Sequence, residues 1–348
     1  MLGPVSETGT AMSGHHVAIA GATGAVGAEF LRLFEKRNYP IRKLTLLASK
    51  RSVGKTLRFR GEALPVEELT QDAFAGVEHA YFSAGAGQSK AFADAAVGAG
   101  AVVIDNSSAF RYVDGIPLVV PEINPEDAFT HQGIIANPNC TTIVALMAIA
   151  PLHRAFGLRR AVMSSYQAIS GAGAQAMAEL EKQVHDWVAG RPLEVKQQPK
   201  QIAFNVIPRI DAVQDNFYTK EEMKFLWEGV KILHHPQLLA TATCVRVPVF
   251  RSHAVSLNLE FEKAVTRNGA LDVLRKAAGL QVQDDPASEV YPTPLETSEH
   301  DDIFVGRVRE DISVPEGRGL ALWVVGDQLA KGAALNAVQI GELLIRGH

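Results

Sequence analysis

From residue 16 onward, apolar positions alternate between two rhythms. Residues 16–20 (His-Val-Ala-Ile-Ala) form a short apolar run that suits a buried strand. A turn of small residues follows, and residues 28–37 then place Phe30, Leu31, Leu33 and Phe34 on one helical stripe. The strand pattern returns at 44–48, 80–83 and 101–105, with a helix predicted over 90–97. Such repeated alternation predicts a mostly parallel sheet with helices on both faces. Beyond Cys140 the rhythm changes. Longer strand-like runs lie at 161–169, 244–249, 254–262, 303–308 and 320–325, several of them alternating, separated by a few long helices. One of these helices is predicted over 219–233, and a shorter apolar stretch at 143–150 ends at Pro151. A last helix over 332–345 carries Ala334, Leu335, Val338, Ile340, Leu343 and Leu344, enough to pack back on the first unit. The fold class read from this pattern is α/β, a Rossmann-like dinucleotide-binding domain followed by an α+β domain. The boundary falls near Pro138, giving domains at 15–138 and 139–326, with 327–348 returning to the first.

Composition narrows this picture. At roughly 150 residues per domain, 348 residues support two domains, each with its own core. A net charge of −4 gives no electrostatic footprint for nucleic acid or an anionic membrane, so neither is an expected partner. The apolar run at 143–150 is far short of the roughly 18 residues of a membrane span. Residues 1–14 contain no Lys or Arg and no apolar block, so they lack both parts of a secretory signal and read as a disordered leader. The two cysteines, Cys140 and Cys244, lie far apart in a chain long enough to fold without staples, which predicts free thiols and a reducing, cytoplasmic setting.

The turn between the first strand and first helix reads Gly21-Ala22-Thr23-Gly24-Ala25-Val26-Gly27. Small residues there let backbone approach a pyrophosphate at the positive end of a helix, although the spacing is Gly-x-x-Gly-x-x-Gly. Gly21, Thr23, Gly24, Ala25, Val26 and Gly27 are therefore the expected cofactor contacts. NAD sites place an Asp or Glu about 20 residues later. Here that place reads Ala48-Ser49-Lys50-Arg51-Ser52, and a guanidinium with hydroxyls suits a 2′-phosphate, so Arg51 and Ser52 favour NADP.

Asn137-Pro138-Asn139-Cys140-Thr141-Thr142 runs directly into the apolar stretch at 143–150, which puts Cys140 at a helix N-terminus. Unpaired amides there stabilise a thiolate and an oxyanion formed beside it. Cys244 lies between β-branched residues and reads as core. A nucleophilic cysteine beside a dinucleotide loop points to aldehyde oxidation through a thioester.

At this point the sequence resembles the aspartate-semialdehyde dehydrogenase family, from about His16 to the C-terminus. The matching segments are the glycine loop, Asp105-Asn106-Ser107-Ser108-Ala109-Phe110-Arg111, Val119-Val120-Pro121-Glu122-Ile123-Asn124, and the Asn137 to Thr142 run. Further matches are Tyr166-Gln167-Ala168-Ile169-Ser170-Gly171, Glu221-Glu222-Met223-Lys224, Thr243 to Pro248, His253, and Asp327-Gln328-Leu329. The resemblance implies that Cys140 is the acyl-thioester nucleophile, His253 the acid/base and Gln167 the residue that orients the substrate. Arg246 is implied as the clamp for the substrate carboxylate, Glu221 as the holder of its amino group, and Lys224 and Arg111 as phosphate ligands. Ser170, Gly171 and Gln328 match positions facing the nicotinamide half of NADP. The implied activity is NADPH-dependent reductive dephosphorylation of L-4-aspartyl phosphate to L-aspartate 4-semialdehyde and phosphate, on the route to lysine, methionine and threonine. The implied assembly is a homodimer or homotetramer built through the second, catalytic and dimerisation domain.

Spacing alone leaves Glu221 and Lys224 as an exposed ion pair on one helix face. An N-acetyl-glutamyl-phosphate reductase would run the same chemistry on an acylated substrate with no ammonium for Glu221. A non-catalytic protein on this fold is expected to lack the cysteine or the histidine, and a cysteine hydrolase has no use for the glycine loop. The pairs His15-His16 and His234-His235 diverge as neighbours and have no Cys or carboxylate at ligand spacing, so no metal is expected.

Overall fold

The structure, a computed structural model, describes residues 14–347. Apart from Gly14, the predicted leader lies outside the described residues.

Seven strands form the first sheet: β1 (His15–Ala20), β2 (Ile41–Ala48), β3 (Thr56–Phe59), β4 (Glu62–Glu68), β5 (His79–Phe82), β6 (Val102–Asp105) and β7 (Ile134–Ala136). Their order is β3-β4-β2-β1-β5-β6-β7, parallel throughout except for the β3–β4 hairpin at one edge. The central strands are buried on both faces, as a parallel sheet between helices requires. Helix α1 (Ala25–Lys36) seals one side with Phe30, Leu31, Leu33 and Phe34, the stripe read from the sequence. The hairpin went unpredicted because Arg58, Glu62, Glu67 and Glu68 break up its apolar pattern.

The second sheet has six strands: β8 (Leu158–Gln167), β9 (Leu239–Arg246), β10 (His253–Phe261), β11 (Leu280–Val282), β12 (Ile303–Glu310) and β13 (Gly319–Gly326). They run in the order β11-β12-β13-β10-β8-β9, with mixed directions. The strand predicted over 244–249 is instead β9, which ends at Arg246. Pro248 cannot donate to a ladder, and that ends the strand.

Helix α3 (Cys140–Phe156) packs against this sheet and is buried nearly all round from Thr141 to Leu152. It passes through Pro151, where the sequence suggested a stop. The apolar packing on every side outweighs the one hydrogen bond that the proline removes. Around it lie α2 (Ala86–Gly98) on the first sheet, and α4 (Ala174–Val188), α5 (Lys220–Ile232) and α6 (Arg267–Arg275) in the second unit. The C-terminal helix, Leu335–Arg346, joins the first sheet's core through Leu335, Val338 and Ile340 and is preceded by a π-helical turn, Ala330–Ala334. Among the described residues, no helix is long and apolar enough to cross a membrane.

Candidate active site

Asn139 caps α3: its Oδ1 accepts the backbone N–H groups of Thr141 at 3.0 Å and Thr142 at 3.1 Å, which makes Cys140 the first helical residue. The thiol opens onto a cavity of about 360 Å³ whose walls include Arg111, Gln167, Gly171, Glu221, Lys224 and Arg246. His253 begins β10, and its Nε2 lies 3.5 Å from the Cys140 sulfur. Nδ1 of the same ring accepts the Ala168 N–H at 3.1 Å, so the neutral imidazole carries its proton on Nε2, facing the sulfur. Burial and the nearby Arg246 guanidinium push His253 down to about 3. Burial and the Glu221 carboxylate push the Cys140 thiol up, against the pull of the helix terminus and the Arg111 and Lys224 cations. The resting pair is therefore a neutral imidazole beside a thiol.

The remaining cavity side chains hold one another. Glu221 and Lys224, one turn apart on α5, are both buried, and Nζ donates to Glu221 Oε2 at 2.7 Å and to Asp211 Oδ2 at 3.1 Å. The exposed pair suggested by spacing alone is thus a buried one. Burial opposes ionisation of Glu221, but Lys224 and the amides of Gln167 and Asn139 outweigh it and hold the carboxyl at about 2. Gln167 donates through Nε2 to Glu221 Oε1 at 3.0 Å and to the Thr141 hydroxyl, while its buried Oε1 has no protein partner. Arg246 donates through Nη1 to Ala168 O at 2.7 Å, and its buried Nε is likewise unpartnered. Arg111 gives Nε to Asn137 O at 2.9 Å, Nη2 to Asn106 O at 2.9 Å and Nη1 to Glu228 Oε1 at 3.2 Å.

Ser170 and Gly171 lie in a short turn, Ile169–Ala172, after β8, and Gly171 borders the cavity. Gln328 follows β13 and spends both ends of its amide on the protein. Oε1 accepts the Ser252 N–H at 2.8 Å, and Nε2 donates to the Ser170 hydroxyl. In this structure it holds the turn that leads into His253. Arg251, in that turn, donates to Asp327 Oδ2 at 2.6 Å and reaches Glu29 on α1 at 3.3 Å, which ties His253's turn to the first helix. Sequence reasoning missed Gly332: a Cβ there would lie 3.0 Å from the Cys140 Cβ, tighter than an ordinary contact, so the missing side chain lets the π-helical turn pack closely on Cys140. It gave Ser108 no role of its own and missed Asp211 and Glu228, because nothing local marks residues brought in by tertiary folding.

The glycine loop lies apart from these groups in the sequence and leads into α1. Gly21 has φ +96°, and a Cβ there would meet Ser83 O at 2.6 Å. Gly24 is the N-cap and supplies no side-chain cap, and no acidic residue occupies the first turn that holds Ala25, Val26 and Gly27. The α1 amides are thus left for an anion. Thr23 Oγ1 is 3.5 Å from the Ser52 hydroxyl, which brings the exposed 49–51 stretch with Arg51 beside the loop. These groups fit a dinucleotide.

The histidine pairs do diverge: His15 bonds Glu78, and His16 bonds Gly76 O and Thr45. His234, however, comes within 3.1 Å of Asp127 Oδ2, and its ligand atom lies within 4.8 Å of those of Asp127 and Glu126, a proximity that sequence spacing could not show.

Two family models match the chain. One, described as the semialdehyde dehydrogenase NAD binding domain, covers residues 16–131, and the other, the semialdehyde dehydrogenase dimerisation domain, covers 149–331. Aspartate-semialdehyde dehydrogenase of Legionella pneumophila is 50% identical over 339 residues, 96% of this chain and 97% of its own. The enzyme of the same name from Synechocystis sp. is 50% identical over 94% of this chain and 97% of its own. The crystal structure of aspartate semialdehyde dehydrogenase II from Vibrio cholerae superposes with a TM-score of 0.93 at 44% identity, covering 97% of this chain and 100% of that one. A second crystal structure of that protein, complexed with ASA, superposes equally well. With matches of this extent to both halves of the fold, the chain belongs to the aspartate-semialdehyde dehydrogenase family and is an oxidoreductase of that kind.

Proposed function

We propose that the chain reduces L-4-aspartyl phosphate to L-aspartate 4-semialdehyde and inorganic phosphate with NADPH, reversibly, through a thioester on Cys140. The observation that carries this reading is the Cys140 sulfur 3.5 Å from His253 Nε2, at a cavity whose wall carries both Arg246 and Glu221. An amino-acid substrate brings a carboxylate and an ammonium. Arg246, with its unpartnered Nε, takes the first, and Glu221, kept ionised by Lys224, takes the second. The sulfur attacks the acyl carbon and the bond to the phosphate oxygen breaks. Phosphate leaves toward Arg111 and Lys224, taking up the thiol proton. NADPH, when bound, supplies the hydride that reduces the thioester. His253 donates a hydrogen bond from Nε2, first to the oxyanion on the tetrahedral carbon and then to sulfur as the carbon–sulfur bond breaks, and one proton taken up from solvent restores the Cys140 thiol. Gln167, in the cavity wall, orients the substrate.

In this reading Gly21, Thr23, Gly24, Ala25, Val26 and Gly27 hold the pyrophosphate, while Arg51 and Ser52 favour NADP by meeting its 2′-phosphate. Ser170, Gly171 and Gln328 border the nicotinamide. Residues 15–138 with 327–348 serve the cofactor, and 139–326 serve catalysis and self-association as a homodimer or homotetramer. The outer face of the second sheet supports the latter, with Tyr166 tilted against Trp323 at 5.3 Å and partly exposed. Two free cysteines suit the cytoplasm, where the product would feed lysine, methionine and threonine synthesis.

The test is formation of reduced nicotinamide by the purified protein with NADP, phosphate and either L-aspartate 4-semialdehyde or N-acetyl-glutamate semialdehyde. Phosphate-dependent signal with the first substrate alone is expected. Signal with the second alone would overturn the substrate, and silence with both would overturn the reaction.

A further inference from the structure

Glu228 has no solvent exposure and plays no part in the chemistry above, yet two of its partners, Arg111 and Asn139, line the cavity. It lies on the α5 face that carries Glu221 and Lys224, one turn beyond Lys224. Its Oε2 accepts the backbone N–H of Asn139 at 2.6 Å. Its Oε1 accepts Arg111 Nη1 at 3.2 Å and the Tyr112 hydroxyl at 3.0 Å. Asn139 is thus gripped by two carboxylates of one helix, Glu228 on its amide and Glu221 on its side-chain Nδ2 at 3.0 Å, immediately before Cys140. Arg111 is fixed on three sides, by Glu228, Asn137 O and Asn106 O, which leaves one N–H on each terminal nitrogen for a second acceptor. Two such donors from one planar group match two oxygens of a phosphate.

We propose that Glu228 is a positioning residue for the phosphate step: it aims the Arg111 guanidinium and, by holding Asn139, fixes the phosphate seat relative to the Cys140 sulfur. This rests on the reading of Arg111 as a phosphate ligand. A carboxylate buried only to fill space would be replaceable by its amide with even effects on every substrate. A carboxylate that aims Arg111 concentrates its effect on phosphate.

The experiment measures the oxidative reaction of the full chain with phosphate, semialdehyde and NADP varied in turn, for Glu228→Gln, Glu228→Asp and Arg111→Ala. Glu228→Gln keeps the shape but loses the charge, and is expected to raise the KM for phosphate about tenfold, the scale of a lost charge-assisted contact. The KM values for semialdehyde and NADP, and kcat at saturating phosphate, should change less than about threefold, within the spread of a neutral replacement. If the glutamine variant does not fold, Glu228→Asp, which withdraws the charge from Arg111 by one methylene, should give the same split with a smaller rise. Equal rises in all three KM values, or an unchanged KM for phosphate, would overturn the proposal. Arg111→Ala separates the two layers. If it raises the KM for phosphate while neither Glu228 variant does, only the role of Glu228 fails. If it leaves that KM unchanged, the phosphate reading fails and takes this inference with it.

Discussion

The glycine loop offers a ligand exposed groups: the amides at the start of α1, Thr23, and Arg51 on the adjoining turn. The cysteine cavity offers buried ones, with side chains gathered from stretches between residues 108 and 253, most already bonded to one another. The loop's contacts are nearly independent, so losing one should subtract that contact and little else. In the cavity Glu221 answers to Lys224, Gln167 and Asn139 at once, so removing any member leaves another buried and unpaired. Exposed recognition degrades by degrees, whereas buried recognition fails as a unit.

The sharpest way to break this contrast is at Cys140. Cys140→Ser should lower kcat by at least about a thousandfold, as loss of a covalent nucleophile does, while calorimetric titration finds cofactor affinity unchanged. A parallel loss of cofactor binding would show the two regions to be one. Next in size, Lys224→Ala removes the cation shared by Glu221 and Asp211. Steady-state kinetics should find the KM for phosphate raised about ten- to a hundredfold, the range for a charged hydrogen-bonding partner, and the KM for NADP little changed. Equal rises in both would undo the phosphate assignment. The smallest effect is expected at the exposed Arg51. Arg51→Ala should weaken NADP by roughly fivefold, as for a surface charge contact, and leave NAD use as it was. A loss shared by both nucleotides would move the 2′-phosphate elsewhere.

The same contrast explains what could be read from the chain alone. The first strand, the glycine turn and the α1 stripe are contiguous in sequence, so local periodicity and small residues reveal them. Cys140 was legible because the segment before it carries its own cap, Asn139, ahead of an apolar run. Glu228 was not, because a glutamate two turns into a helix looks like solvated surface until Arg111 and Asn139 arrive from 117 and 89 residues away. Gly332 was hidden in the same way, since its close fit arises against Cys140 and Gln328, which no local pattern shows. The tautomer of His253 depends on one amide of the facing strand end, which no spacing encodes. The extent of α3 was misjudged at Pro151 because a local rule gave way to burial on all sides.

That burial has a kinetic meaning. Helices that cover a surface fray and reopen many times before a domain unfolds, and their amide protons exchange accordingly. Helix α3 has almost no solvent-facing side from which to fray, and its capped end carries the Cys140 sulfur. Its amide protons should be among the slowest to exchange in the molecule, and Cys140 keeps its place for as long as the surrounding domain stays folded.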